Sequence, residues 1–245
     1  MRHAWFWFTG CLWAGLVLGQ GVTEQVGLAK DKEGNLLYKE VRRLQRDAKG
    51  TPIVEEMECF DANGKRIAEA RADFSRDRYL PESDFIHHAT GGSNQVKRAE
   101  KLIRITNRGC RTEAERQSQI KTAGVTVAGT GMLEFISDHL EDLAAGRVQR
   151  VSLILPTELD QFSCRILKES VTGDRLCLRI EIDSWFLRFF APTTEAVYDL
   201  KTRQLLAYRG ASNIGEEKGR LRAVNVEYTT TTNANGRLSS ERTKR

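Results

Sequence analysis

An aspartate followed three residues later by a glycine recurs early in the chain, as DKEG from Asp31, DAKG from Asp47 and DANG from Asp61. Such an aspartate opens a type I turn by accepting backbone N–H groups. The glycine then takes the left-handed conformation that closes a bulged hairpin. The segments between these turns, NLLYKEVRRLQ, TPIVEEMECF and KRIAEARADF, are of strand length. This rhythm commits the first part of the chain to an antiparallel meander. Hairpin spacing accounts for the apparent repeat without a solenoid.

The stretch RDRYLPESDFIHHATGGSNQVKRAE interrupts the rhythm with Pro81, Gly91 and Gly92, and reads as a long loop. Strands are expected to resume at KLIRIT and IKTAGVTVAG. Further on, RVSLIL places Val151, Leu153 and Leu155 on one side, and QFSCRIL does the same with Phe162, Cys164 and Ile166. In DRLCLRIEID, Leu176, Leu178, Ile180 and Ile182 face one way, and Cys177, Arg179, Glu181 and Asp183 the other. Such alternation puts one face on a core and one in solvent. AVYDLKTRQLLAYRG reads as another hairpin, and LRAVNVEYTT as the last strand.

One segment has helical period. In GMLEFISDHLEDLAAG, Met132, Phe135, Ile136, His139, Leu140 and Leu143 recur at steps of three and four. Glu134, Asp138, Glu141 and Asp142 are assigned to the outer face, Thr130 to the N-cap and Gly146 to the stop. The expected fold is mainly β: about ten strands form an antiparallel sheet too large to stay flat. It curls into a partly open, incomplete barrel, with the helix near residues 131–145 packed in its concave side.

The N-terminus has the layout of a secretory signal peptide: Arg2, an apolar run from Ala4 to Leu18, then Gly19 and Gly21. A run of about 15 residues is short of the ~20 that span a bilayer. Residues 1–21 are therefore expected to be removed, leaving a single β-rich domain over 22–236 and a basic tail, 237–245. Localisation is expected to be the periplasm, with no transmembrane span. Loss of Arg2 takes the formal charge from +5 to +4, since no acid precedes Glu24. Acids and bases are interspersed, unlike the clustered basic footprint of a nucleic-acid binder.

Four cysteines follow the leader: Cys59, Cys110, Cys164 and Cys177. They form no C-x-x-C pair of the zinc-binding kind, and four cysteines allow three disulfide connectivities. Cys164 and Cys177 flank a turn at VTGD, but face parity separates them. Cys164 shares the apolar side with Phe162 and Ile166, whereas Cys177 points with Arg179 and Glu181. Cys164 is thus expected to be a buried thiol that is not bonded to Cys177.

VYDLKTRQLLAYRGASNI, together with LLYKE, CFDANGKRIAEARADF and GMLEFISDHLEDLAAGRVQRVSLILP, resembles a family of uncharacterised exported proteins of gram-negative bacteria. The architecture is also similar to the incomplete barrel of periplasmic lipoprotein carriers and outer-membrane lipoprotein receptors. That resemblance implies an open sheet around a helix, with an apolar cavity for acyl chains.

SDFIHHATGG brings together Asp84, His87 and His88, the chemistry of a metal site. However, adjacent residues of an extended segment point opposite ways, so the cluster reads first as a polar surface loop. His139, among apolar helix positions, reads as a packed histidine with one hydrogen bond. No nucleophile elbow, H-E-x-x-H pair or phosphate loop is present. In DSWFLRFFAP, the aromatic run reads as a buried strand or as the lining of a cavity mouth. The ligand-binding candidates are Trp185, Phe186 and Phe189, with Phe135 and Leu140 of the helix. No catalytic residue, metal ligand or cofactor is assigned. The expected function is noncatalytic binding of an apolar or lipid-like ligand in the cell envelope. Two alternatives stay open: an adaptor that binds an envelope protein along a sheet edge, and a hydrolase built around Asp84 with His87 or His88.

Overall fold

A computed structural model describes residues 21–122, 124–184, 194–212, 214 and 222–233. The expected signal peptide and basic tail lie outside the described residues, apart from Gly21. The described strands are β1 (Val22–Lys30), β2 (Leu36–Arg46), β3 (Pro52–Phe60), β4 (Arg66–Asp73), β5 (Glu82–His87), β6 (Gly92–Ala99), β7 (Leu102–Arg108), β8 (Arg116–Ile120), β9 (Thr126–Ala128), β10 (Gln149–Leu155), β11 (Asp160–Thr172), β12 (Arg175–Ile182), β13 (Thr194–Asp199), β14 (Leu205–Ser212) and β15 (Arg222–Asn233). Two short helices, α1 (Gly131–Asp138) and α2 (Leu140–Ala144), lie between β9 and β10.

All fifteen strands form one sheet in the order β8-β7-β6-β5-β4-β3-β2-β1-β15-β14-β13-β12-β11-β10-β9. Every neighbouring pair is antiparallel except β9 with β10. The sheet is two meanders joined where β1 pairs with β15, from Val22 opposite Asn233 to Lys30 opposite Asn225. The aspartate turns form as their chemistry requires. Asp47 Oδ1 accepts the Thr51 N–H at 2.8 Å, Asp61 Oδ1 the Lys65 N–H at 2.9 Å, and Gly50 and Gly64 adopt positive φ.

The expected long loop is instead the β5–β6 hairpin. Phe85 and His87 are buried while Ile86 is exposed, the alternation of a strand. Phe85 pairs opposite Ala70 of β4 and Asn94 of β6. Pro81 lies just before the strand, where its missing N–H costs no ladder bond.

β8 and β9 are the sheet edges, and no ladder joins them. An apolar cluster fills the seam. Val96, Ile103 and Ile105 from one arm pack with Ala128 and Ile154 from the other. Side chains tie it further: the Ser118 hydroxyl donates to the Leu159 carbonyl at 2.5 Å, and Gln161 to that of Lys121 at 2.9 Å. The result is a curled sheet closed by packing rather than by strand pairing.

The helical segment lies inside this curl. Met132, Phe135, Ile136, Leu140 and Leu143 pack on Val151, Cys164, Ile166, Leu176, Leu178 and Tyr198. The segment breaks at His139 (φ −108°, ψ 15°), so one expected helix is two. Thr130 is at helical dihedrals and its side chain makes no capping hydrogen bond, because the hydroxyl of an N-cap residue reaches the first turn from extended dihedrals. The stop does form. Gly146 has φ +86°, its N–H bonds to Leu143, and the Arg147 N–H bonds to Asp142, which is a Schellman ending. Gly131 has a steric cause, since a Cβ there would lie 2.0 Å from the Tyr79 carbonyl oxygen.

Glu134 departs from its expected outer position and is 5% exposed. The side of α1 away from the helix core faces the other arm rather than water. There Glu134 meets Arg46 at 2.5 Å and Arg78 at 2.9 Å.

The four cysteines of the described chain are free thiols. Cys164 lies opposite Ile182, and Cys177 opposite Ser170, beyond a bulge at Lys168–Ser170. The two are thus well separated along the hairpin, and Cys164 is buried, as face parity requires.

Candidate functional site

Along β2 the inward row runs Tyr38, Glu40, Arg42, Leu44, Arg46. Two cavities open at its ends. One, of about 340 Å³, includes Tyr38 in its wall. The other, of about 360 Å³, includes Arg42, Leu44 and Arg46. Glu40 lies between them. Both volumes fall at the lower end of the ~300–1,000 Å³ usual for ligand sites.

The first cavity is built from the start of β2, from β4, from the β5–β6 turn, and from residues at the β14–β15 connection. Leu37, Ile67, Ala89, Ile214 and the Tyr38 ring give it apolar walls, and His87, Thr90 and Arg222 supply polar groups. The Tyr38 hydroxyl is engaged with Ser212 at 2.7 Å. His87 is 6% exposed. The Thr90 N–H donates to its Nδ1 at 3.2 Å, which leaves the proton of the neutral ring on Nε2. Burial lowers the His87 pKa, so the ring is neutral at physiological pH. Its Nε2 is buried and has no hydrogen-bond partner among the described residues.

The layer between the cavities is polar and closely packed. Glu40 is hydrogen-bonded to Tyr228, and burial raises its carboxyl pKa. This crossing requires Gly27 beneath it, where a Cβ would lie 2.7 Å from the Tyr228 ring and 2.8 Å from the Glu40 side chain. Arg42 pairs with Glu55 at 2.5 Å, both nearly buried.

In the second cavity the guanidinium groups already have carboxylate partners. Arg42 has Glu55, Arg46 and Arg78 share Glu134, Arg78 also meets Asp138, and Arg203 bonds Glu141. The wall is thus a set of satisfied ion pairs: Arg46 and Arg78 fasten α1 to one arm, Arg203 fastens α2 to the other, and Arg42 with Glu55 joins β2 to β3.

The sequence-derived candidates are dispersed. Trp185, Phe186 and Phe189 lie outside the described residues. Phe135 and Leu140 are 2% and 1% exposed and belong to the helix core, and neither lines these cavities. His139 is a packed ring: Nδ1 lies 2.8 Å from the Phe135 carbonyl oxygen and the imidazole stacks on Phe135 at 4.2 Å. Asp84 accepts hydrogen bonds from Lys97 and Gln95, and His88 faces Glu69 at 3.6 Å. The β5 pleat puts Asp84 on the opposite face from His87, so the two do not converge. Among the described residues no three His, Cys, Asp or Glu side chains are grouped to hold a metal, and no helix is long and apolar enough to cross a membrane.

Sequence reading missed the inward polar row of β2 and its partner Glu55. Its only signal is the spacing of Glu40 and Arg42 two residues apart, which an exposed strand face would also show.

No protein-family model matches this chain, and no curated protein matches it. Among solved structures it is similar to a β-barrel-like protein of the domain of unknown function DUF1849 from Brucella abortus. That match has 7% sequence identity and a TM-score of 0.41, over 88% of this chain and 97% of that one.

Proposed function

We propose that the protein is a noncatalytic binding protein of the cell envelope, and that it holds an apolar, lipid-like ligand in the cavity beside His87. The observation that carries this reading is the wall itself. Leu37, Ile67, Ala89, Ile214 and the Tyr38 ring make about half of it, and the polar groups of His87, Thr90 and Arg222 contribute the rest. Apolar surface with a few polar groups at one side suits a ligand with an apolar body and one polar end. The absence of a converging nucleophile, base and orienting group among the described residues favours binding over hydrolysis.

An adaptor that pairs along a sheet edge has less behind it. The β8 edge faces the β10–β11 turn, whose carbonyls already accept from Ser118 and Arg116.

Uptake of a fluorescent fatty-acid analogue by the folded chain tests the proposal. The parent is expected to bind with a saturable signal. Ile67→Trp, which fills the cavity from β4, is expected to abolish that signal while the thermal melt stays cooperative. Unchanged uptake in the Trp variant would place the ligand elsewhere.

A further inference from the structure

The cavity beside His87 differs from its neighbour in one chemical respect. Among the described residues Arg222 is the only charged residue in its wall, and no carboxylate lines it. In the second cavity every lining arginine meets a carboxylate. Asp31, an acidic group that senses Arg222, belongs to the β1–β2 turn and accepts hydrogen bonds from the backbone and side chain of Asn35.

The polar side chains that reach the cavity can donate. A guanidinium only donates. His87 Nε2 carries the ring proton, since Nδ1 accepts from Thr90, but it is covered by protein and does not face the cavity. The Thr90 hydroxyl accepts the Gly92 N–H at 3.2 Å, which leaves its own hydrogen to give. The Tyr38 hydroxyl is occupied by Ser212. Among the described residues the wall therefore presents one cation and one neutral donor beside apolar surface. The complementary group accepts hydrogen bonds only and carries negative charge, which describes a carboxylate.

Building on the reading that this cavity holds an apolar ligand, we propose that the ligand is a single-chain amphiphile with an anionic oxygen head group, a free fatty acid or its chemical equivalent. Its head is held by Arg222 and Thr90, and its chain lies along Leu37, Ile67 and Ile214. The modest volume suits a short or medium chain.

Decanoic acid, decanol and methyl decanoate, titrated into the full chain at neutral pH, separate the two ideas. Decanoate is expected to bind at least about tenfold more tightly than the two neutral compounds, the size of effect given by one hydrogen bond to a charged group. Arg222→Gln is expected to remove that preference without weakening decanol, and Arg222→Lys to retain part of it. Equal binding of all three by the parent would overturn the anionic head while leaving the apolar site intact. Preference for decanoate that survives in Arg222→Gln would overturn the role of Arg222. No binding of any of them would overturn the underlying reading together with this one.

Discussion

Glu134 of α1 lies 2.5 Å from Arg46 of β2, with only 6% of its side chain exposed. Arg78, from the β4–β5 connection, reaches the same carboxylate at 2.9 Å. One acidic side chain thus fastens the internal helix to the arm opposite the one that supplies most of its apolar contacts. Removing one partner of a buried pair costs about 3–5 kcal/mol. The two arginines are about 30% exposed, so Glu134→Ala is expected to cost nearer 2–3 kcal/mol. Glu141→Ala, on a carboxylate 85% exposed, should change stability by less than about 1 kcal/mol. Urea melts of the two variants check this, and equal midpoints would mean the helix is not held through Glu134.

On the helix's other face, Leu140 is 1% exposed within the main core. Leu140→Ala is expected to destabilise by about 2–5 kcal/mol, the range for emptying a packed leucine site. Thermal unfolding measures it. A shift within error would show that the helix is only loosely docked.

Glu40 should give stability a particular pH dependence. Burial raises its carboxyl pKa above the ordinary 4.5. The folded state then holds the proton at pH values where the unfolded chain has released it. Stability linked to Glu40 is therefore fully present below about pH 4.5 and is lost as pH rises through the folded pKa. Glu40→Gln keeps the shape and removes the titration. It is expected to be at least as stable as the parent near pH 7 and to lose that advantage in acid. Denaturation curves across this range decide the matter, and a parallel pH profile for parent and variant would be the contrary result.

Thiol accessibility follows the strand register. Burial pushes Cys164 up to about 11 and Cys59 higher still. In the native protein these two should resist alkylation, and the half-buried Cys110 and Cys177 should label first. Non-reducing peptide mapping is expected to find no fragment joining Cys164 to Cys177, and a dominant linked species would contradict the β11–β12 register.

The meander of β2, β3 and β4 was legible because aspartate and glycine at fixed spacing dictate a turn whatever surrounds it. Cys164 was legible because parity on a strand is a local rule. The β5–β6 hairpin was not. Its turn, HHATGG, lacks the aspartate signal, and Pro81 with paired glycines resembles a loop until Phe85 and His87 are known to face inward. Glu134 was misplaced for a different reason. Helical period tells which residues share a face, but not that the opposite face also meets protein. The cavity residues His87 and Thr90 share one turn, but Arg222 is distant in sequence and joins them only through strand order, so periodicity could not assemble the set.

The pairing of β1 with β15 carries a kinetic consequence. All other neighbours in the sheet are consecutive in the chain, so each arm can zip from its own turns through local contacts. The joint at the centre of the sheet closes the longest loop available, and non-local pairings of that kind slow folding. We expect the two arms to gain structure early and the β1–β15 ladder to lock last. Gln25→Ala, which removes bonds to Leu205 and Thr230, should then speed unfolding with little effect on the folding rate. Stopped-flow chevrons would read this directly, and a slowed folding limb would mean that the central joint nucleates the fold instead of completing it.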